Sequence, residues 1–445
     1  MTLGHRVLRQ LPDPPTPSGQ AGLRVLRTWR ERGSILGALE AMHAELGDVF
    51  RLTLPGSRPV MVAGPDAARR ILVTHRGDYQ WRNEADPVTR VLRRGVLVTD
   101  DAEHDHWRAL LEPALQRRRF PGYEANFLGA VDRVTADWRP GQVVDMLVEM
   151  RKVALRILVG TLFGTEIGPD LPRLLPSILR MLAYISPGLW LLAPALPRPG
   201  YRKSLRAVDE YLFGLIAARR AGSGMGDDML SSLVLHPELD DDDIRDQLLT
   251  LFIAGHDTST ALLAWTLYLL GSHPASLGRI QQECDQLPAG QPLSLEALPR
   301  LTHLDAVLDE TLRLYPPIHV ANRLARTEHS IGGYRIPAGT RVMLSIYLTH
   351  RDPKVWREPD RFLPERFGPE AQEGRTPFSY LPFGGGPRNC IGAAFGKTES
   401  LLVLAQLLRT FALELVDQRV HAHMGATLEP RPAVRMRITR RRGMG

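Results

Sequence analysis

The chain has 445 residues, with 56 Lys and Arg against 49 Asp and Glu and only two cysteines. Two cysteines exclude a disulfide framework, and a net charge of +7 is too modest to argue for nucleic acid, suiting an acidic protein partner equally well. Length alone would allow two or three domains, but no Gly/Ser run, charge block or repeat divides the chain, so one domain over 1–445 is expected. Residues 1–10 are polar and basic and lack the apolar core of a signal peptide. The most apolar later run, 188–196, is too short to span a bilayer and contains a proline. A cytoplasmic chain without a transmembrane anchor is the expectation.

Repeated prolines make residues 11–20 an extended arm, and the spacing of Ile35, Leu36, Leu39 and Met42 predicts a helix over 21–46. Residues 49–54 alternate, Pro55-Gly56 turns the chain and 59–63 returns, which reads as a β-hairpin. Pro65 opens a short helix through Leu72, and 84–99 is expected to be irregular. His104 and Arg108 stand four apart, on one face of a helix; alone they read as a solvated face. Arg117, Arg118 and Arg119 form a basic triplet of the kind usually found on a solvated surface.

Residues 127–164 and 171–221 read as helical, the second stretch breaking around 187–199. Its apolar stripe includes Leu174, Ile178, Met181 and Ile185, and core packing is the default for such a stripe. Asp240 to Asp243 supply acids for a helix N-terminus. A long apolar helix follows over 244–270, interrupted by Ala254-Gly255-His256-Asp257-Thr258-Ser259-Thr260. Gly, Asp, Thr and Ser all lower helix propensity, and such a local violation is where function is expected. A cap or kink without chemistry is the bland alternative.

Residues 301–314 form an amphipathic helix in which Glu310 and Arg313 share a face. Pro316 and Pro317 end it, short strands are expected over 331–343, and Pro364-Glu365-Arg366-Phe367 follows. The run Phe383-Gly384-Gly385-Gly386-Pro387-Arg388-Asn389-Cys390-Ile391-Gly392 then combines a tight turn, a fork of donors for a carboxylate on Arg388 and a thiol. Residues 393–415 read as a helix, so Cys390 precedes a helix N-terminus, a location that favours a thiolate. A buried structural cysteine is one alternative. A phosphate loop at 392–398 is another, but it is one residue short of the Walker spacing. Cys284, in a polar helical context, reads as incidental, and 427–438 as a last hairpin.

The motif Phe-x-x-Gly-x-Arg-x-Cys-x-Gly resembles the haem-binding loop of the cytochrome P-450 family, in a soluble bacterial type. The likeness covers the chain from about Pro12 onward, and the four motifs occur in the family's order. It implies a mainly α fold with small β-sheets: a triangular prism with haem b (iron protoporphyrin IX) between the long oxygen-binding helix and the cysteine-loop helix. It makes Cys390 the iron ligand, whose thiolate favours O–O cleavage. His104, Arg108, Arg323, Arg388 and Phe383 would hold the cofactor. Ala254 and Gly255 would leave space for dioxygen, while Asp257 and Thr258 pass protons to it. Glu310, Arg313 and Arg366 would form a structural network.

Ile318, His319, Val320, Ala321 and Ile185 would line the pocket, under a mobile roof that includes Leu189, Trp190 and Leu191; residues 424–427 would touch substrate. The implied activity is monooxygenation, by hydroxylation or epoxidation of a hydrophobic compound; terpenoids, carotenoids, fatty acids and steroids qualify, and terpenoids are favoured. Electrons would come from a separate ferredoxin and its reductase, or a flavodoxin-type donor, docking near the basic triplet and Lys397. A peroxide-driven peroxygenase or isomerase, and a non-catalytic haem-binding protein, are the alternatives.

Overall fold

A computed structural model describes residues 8, 10–17, 19, 35–187, 200–288, 292–368, 374–416 and 419–441. In chain order, α1 (Ile35–Leu46) leads into β1 (Val49–Arg51) and β2 (Val60–Val62), which pair antiparallel as expected. Then come α2 (Pro65–Arg69), β3 (Tyr79–Gln80), α3 (Pro87–Leu92), α4 (Asp101–Leu111), α5 (Phe120–Thr135), β4 (Val143–Asp145) and α6 (Met146–Leu162). The middle of the chain is helical: α7 (Leu171–Ile185), α8 (Tyr201–Arg220), α9 (Met229–Val234), α10 (Asp241–Ser272), α11 (Pro274–Asp285) and α12 (Thr302–Leu314). Strands β5 (Val320–Ala325), β6 (His329–Ile331), β7 (Tyr334–Ile336) and β8 (Arg341–Ser345) precede α13 (Ile346–Thr349) and α14 (Ala393–Thr410). The chain closes with β9 (Phe411–Leu415), β10 (His421–Met424), β11 (Leu428–Arg431) and β12 (Arg435–Arg440).

The long helix α10 is the axis. Asp240 caps it, its side chain accepting the Asp243 N–H at 2.8 Å, and three further acids occupy the first turn where the helix dipole favours them. Pro274 follows its end. A helix that is apolar on all sides has to be buried, and every residue from Ile244 to Leu267 is buried except Ala254, Gly255 and Thr258. Trp265, fully buried, stacks on Tyr315 at 3.7 Å and donates its Nε1–H to the Leu428 carbonyl at 2.8 Å, fixing β11 against α10. Among the described residues no helix is long and apolar enough to cross a membrane.

Strands β1-β2-β8-β5-β3 form one sheet and β4-β12-β9 another. Several expectations need correction. Residues 84–99 are not wholly irregular, because Asp86 caps α3 by accepting the Val88 N–H at 3.0 Å. The helical run over 127–164 is broken at Gly141 (φ +83°), after which β4 pairs with β12. The helix after Cys390 stops at Thr410; Phe411–Leu415 alternates and joins β12. The last hairpin is β10–β11, and β12 leaves it for the other sheet. Cys284, whose helical context in sequence is polar, has its side chain buried in the main core. Residues 21–34, the run 188–196 and the roof residues Leu189, Trp190 and Leu191 lie outside the described residues.

Candidate active site

The cysteine loop owes its shape to two left-handed glycines, Gly384 (φ +72°) and Gly386 (φ +69°). At Gly386 a side chain is excluded twice over, because a Cβ would lie 2.3 Å from the Leu72 carbonyl oxygen. The Cys390 N–H donates to the Phe383 carbonyl at 2.8 Å, closing the turn, and Gly396 N–H to Gly392 O at 2.8 Å starts α14. Arg108 clamps the loop from α4, donating to the Asn389 carbonyl at 2.8 Å and to Asn389 Oδ1 at 3.0 Å. Its Nε lies 3.4 Å from Glu112. The donors expected to reach the cofactor are thus engaged by the loop itself.

Arg388 pairs with Asp100 at 3.2 Å, and Asp100 in turn accepts the backbone N–H groups of Trp81 and Arg82. His104 is buried beside Asp105, 3.0 Å away, and burial pulls its pKa down. The Cys390 side chain is accessible although protein surrounds it closely. That burial pushes its thiol pKa up, against smaller downward pulls from the Gly392 N–H and Arg108. The helix start thus favours the thiolate, as expected, without outweighing burial; coordination to iron would remove the proton outright.

Arg323, on β5, donates only to the Asn322 carbonyl, at 2.7 Å, and among the described residues no carboxylate pairs with it. Burial, then repulsion from Arg388, pushes its pKa down to about 10. A partly buried cation, crowded by protein and without an anion, is costly. A propionate from a bound porphyrin would supply the missing charge, so the residues present fit haem.

The partly exposed notch of α10 is the second half of the site. Ala254 and Thr258 lie one turn apart, and the Thr258 hydroxyl donates to the Ala254 carbonyl at 2.9 Å. At Gly255 a Cβ would lie 2.3 Å from Leu158 Cδ1, so its missing side chain also lets α6 pack close. Asp257 is buried, and Arg151 Nη2 reaches its Oδ1 at 3.0 Å. Ser259 donates to the buried Glu399 of α14, which ties the cysteine-loop helix to the long helix one residue beyond Thr258. Burial pushes the Glu399 pKa up to about 8.

Glu310 and Arg313 are fully buried and bidentate, at 2.7 and 2.8 Å. Arg366 Nε stands 3.5 Å from Glu310, completing the expected triad. Arg313 also donates to the carbonyls of His350 (2.9 Å) and Pro359 (2.7 Å). Sequence reasoning missed His350. Its Nδ1 meets the Arg313 carbonyl at 3.2 Å, and its Nε2 accepts the Leu381 N–H at 2.7 Å, so it links the triad to the start of the cysteine loop. Burial drives its pKa to about 3, and a neutral ring is the form that can both donate and accept.

Arg151 and Glu399 were missed as well. A charged residue inside an apolar helix was the available signal for each. Ile318 is exposed, Val320 and Ile185 are partly buried, and His319 is buried. Arg117 and Arg118 are exposed, whereas Arg119 pairs with Asp227 at 2.6 Å. Lys397 pairs with Asp305 (2.9 Å) and Asp309 (3.0 Å), so it is already neutralised within the chain.

A mostly helical body, an accessible cysteine in a glycine turn and a notched central helix together define a haem-protein architecture. The family model for cytochrome P450 matches residues 14–433, and the chain belongs to that family. It is a cytochrome P450 monooxygenase whose cofactor is haem b. It is 30% identical to the putative cytochrome P450 139 of Mycobacterium tuberculosis, over 90% of this chain and 97% of that one. It is 31% identical to the cyclooctat-9-en-7-ol 5-monooxygenase of Streptomyces melanosporofaciens (87% and 86% covered) and 28% identical to the pentalenene oxygenase of Streptomyces avermitilis (89% and 91%). The fold matches the cytochrome P450DA heme domain with a TM-score of 0.85 at 27% identity, covering 97% and 98% of the two chains. It matches retinoic acid-bound cyanobacterial CYP120A1 equally well, with a TM-score of 0.85 at 25% identity and 97% and 100% covered.

Proposed function

We propose that Cys390 ligates the haem iron and that the enzyme inserts one atom of dioxygen into a bulky apolar compound of terpenoid type, as a hydroxyl or an epoxide. The observation that carries this reading is the Cys390 side chain, accessible within close-packed protein and held by a turn that Arg108 clamps. When bound, haem supplies the redox chemistry that activates dioxygen. The protein supplies position and protons. Ala254 keeps one face of α10 low, the Thr258 hydroxyl holds a proton beside it, and Asp257 replenishes that proton. Arg323, unpaired by any described carboxylate, together with Arg388 and His104, binds the propionate side.

The substrate class is supported by the printed activities of the Streptomyces relatives, one on cyclooctat-9-en-7-ol and one on pentalenene. The buried apolar face of α7, with Ile185 at its end, and Val320 and Ile318 beyond α12 suit such a molecule, with 424–427 beside it. Electrons come from a separate ferredoxin and reductase, or a flavodoxin-type donor, in the cytoplasm; the exposed Arg117 and Arg118 suit an acidic partner. The retained Asp257 and Thr258 favour this reading over a peroxide-driven enzyme or a haem-binding protein without turnover.

Two measurements test the proposal. Cys390→Ala abolishes the carbon monoxide band characteristic of thiolate ligation, and an unchanged band refutes the ligand assignment. A spectral screen of cyclic terpenoids against the ferric protein gives a low-to-high-spin shift; a response to fatty acids or steroids alone overturns the substrate class.

A further inference from the structure

Asp257 is held by groups from two other elements. Arg151 Nη2, on α6, lies 3.0 Å from Asp257 Oδ1 and 2.6 Å from Glu429 Oε1 on β11. The Thr427 hydroxyl donates to Asp257 Oδ2 at 2.8 Å. Arg431 Nη2 sits 3.0 Å from the other Glu429 oxygen, and its side chain is 49% exposed, whereas Arg151, Asp257 and Glu429 are buried. One guanidinium nitrogen therefore serves two carboxylates, and the line of charges Asp257–Arg151–Glu429–Arg431 ends at the surface.

The two carboxylates are unequal. Glu429 stands closer to Arg151 than Asp257 does, and it brings a second cation of its own. In a low-dielectric interior, two anions sharing one donor each hold it less firmly than either would alone. We propose that Glu429 is a positioning residue for oxygen transfer: it draws Arg151 toward the terminal hairpin, leaves Asp257 loosely held, and so sets when that carboxyl carries a proton. The inference rests on the reading of Asp257 as proton carrier given above.

The surrounding charges agree in sign. Burial pushes the Asp257 pKa up to about 6, Glu429 adds to the rise, and Arg151, Thr427 and Arg431 oppose it. The adjacent His256 is fully buried, and its pKa is driven down to about 3, so it stays neutral. Each turn of the relay is balanced: the acid form gives up one proton, the carboxylate pairs with Arg151, and a solvent proton restores it.

The test uses the full-length, haem-loaded protein and two readouts. One is the infrared band of the protonated Asp257 carboxyl, identified by its loss in Asp257→Asn. The other is product formed per reductant consumed. In Glu429→Gln, Arg151 closes on Asp257; the midpoint of the band falls by about one pH unit and product per reductant drops several-fold at pH 7. Glu429→Asp recovers part of both. Arg431→Gln, at a half-exposed site that folding tolerates, moves the midpoint the other way. A band that stays put in Glu429→Gln and Arg431→Gln overturns the proposal. So does equal loss of product in the Gln and Asp variants with the band unmoved, the signature of a merely structural residue. A band that moves while product per reductant holds upholds the positioning and overturns the role of Asp257 as proton carrier, so the two failures are told apart.

Discussion

The Thr258 hydroxyl donates one turn back, to the Ala254 carbonyl, as Thr260 does to His256, but Thr258 is partly exposed where Thr260 is buried. A side chain held by one neutral bond can turn toward a new acceptor at a cost of about 0.5–1.5 kcal/mol. Asp257 cannot do so as freely, since both its oxygens are engaged. The pair therefore divides the labour, with a mobile hydroxyl at the open face and a tethered carboxyl behind it. Thr258→Ala is expected to consume reductant at near the normal rate while yielding peroxide in place of product. The ratio of product to reductant measures this, and an unchanged ratio removes Thr258 from the proton path.

At the scale of elements, α14 is joined to α10 by Ser259 and Glu399, a buried acid whose pKa rises from an ordinary 4.5 to about 8. The sign follows from proton counting. Between those two values the folded protein holds a proton that the unfolded chain releases, so stability falls as pH rises from about 4.5 to about 8 and levels off above. Glu399→Gln removes that slope. Its melting temperature, measured against the wild type, should gain as pH goes from 5 to 9, and an offset equal at both pH values contradicts the assignment. This helix pair also shows what the sequence could and could not tell. The notch in α10 was legible because Gly, Asp and Thr interrupt an apolar run. The true end of α14 was not, because Phe411–Leu415 abuts the helix without a breaker and only its pairing with β12 makes it a strand. Likewise, Arg151 lies 106 residues from Asp257 and 278 from Glu429 along the chain, and no local pattern announces such partners.

Across the whole molecule, the fully buried Glu310–Arg313 pair does for distant segments what a core does for neighbours. It gathers the carbonyls at 350, 359 and 361, the Leu363 N–H and, through His350, the Leu381 N–H. Removing one partner leaves the other buried and charged, which costs about 3–5 kcal/mol. Arg313→Ala should lower the denaturation midpoint accordingly and weaken haem retention; a variant of wild-type stability would mean that the pair is dispensable. The triad itself was legible from two short motifs, whereas the His350 link was not, because its contacts are through backbone carbonyl and amide groups that any residue could offer.

The turn around Cys390 is walled by Leu72, Asp100 and Arg108 from one end of the chain and by residues of the other end. A nascent polypeptide emerging from the ribosome has the first wall long before it has the second. On the proposed ligand assignment, haem capture accordingly waits until Cys390 has left the ribosome and packed against the segments made long before it, and colour should lag the synthesis of those segments.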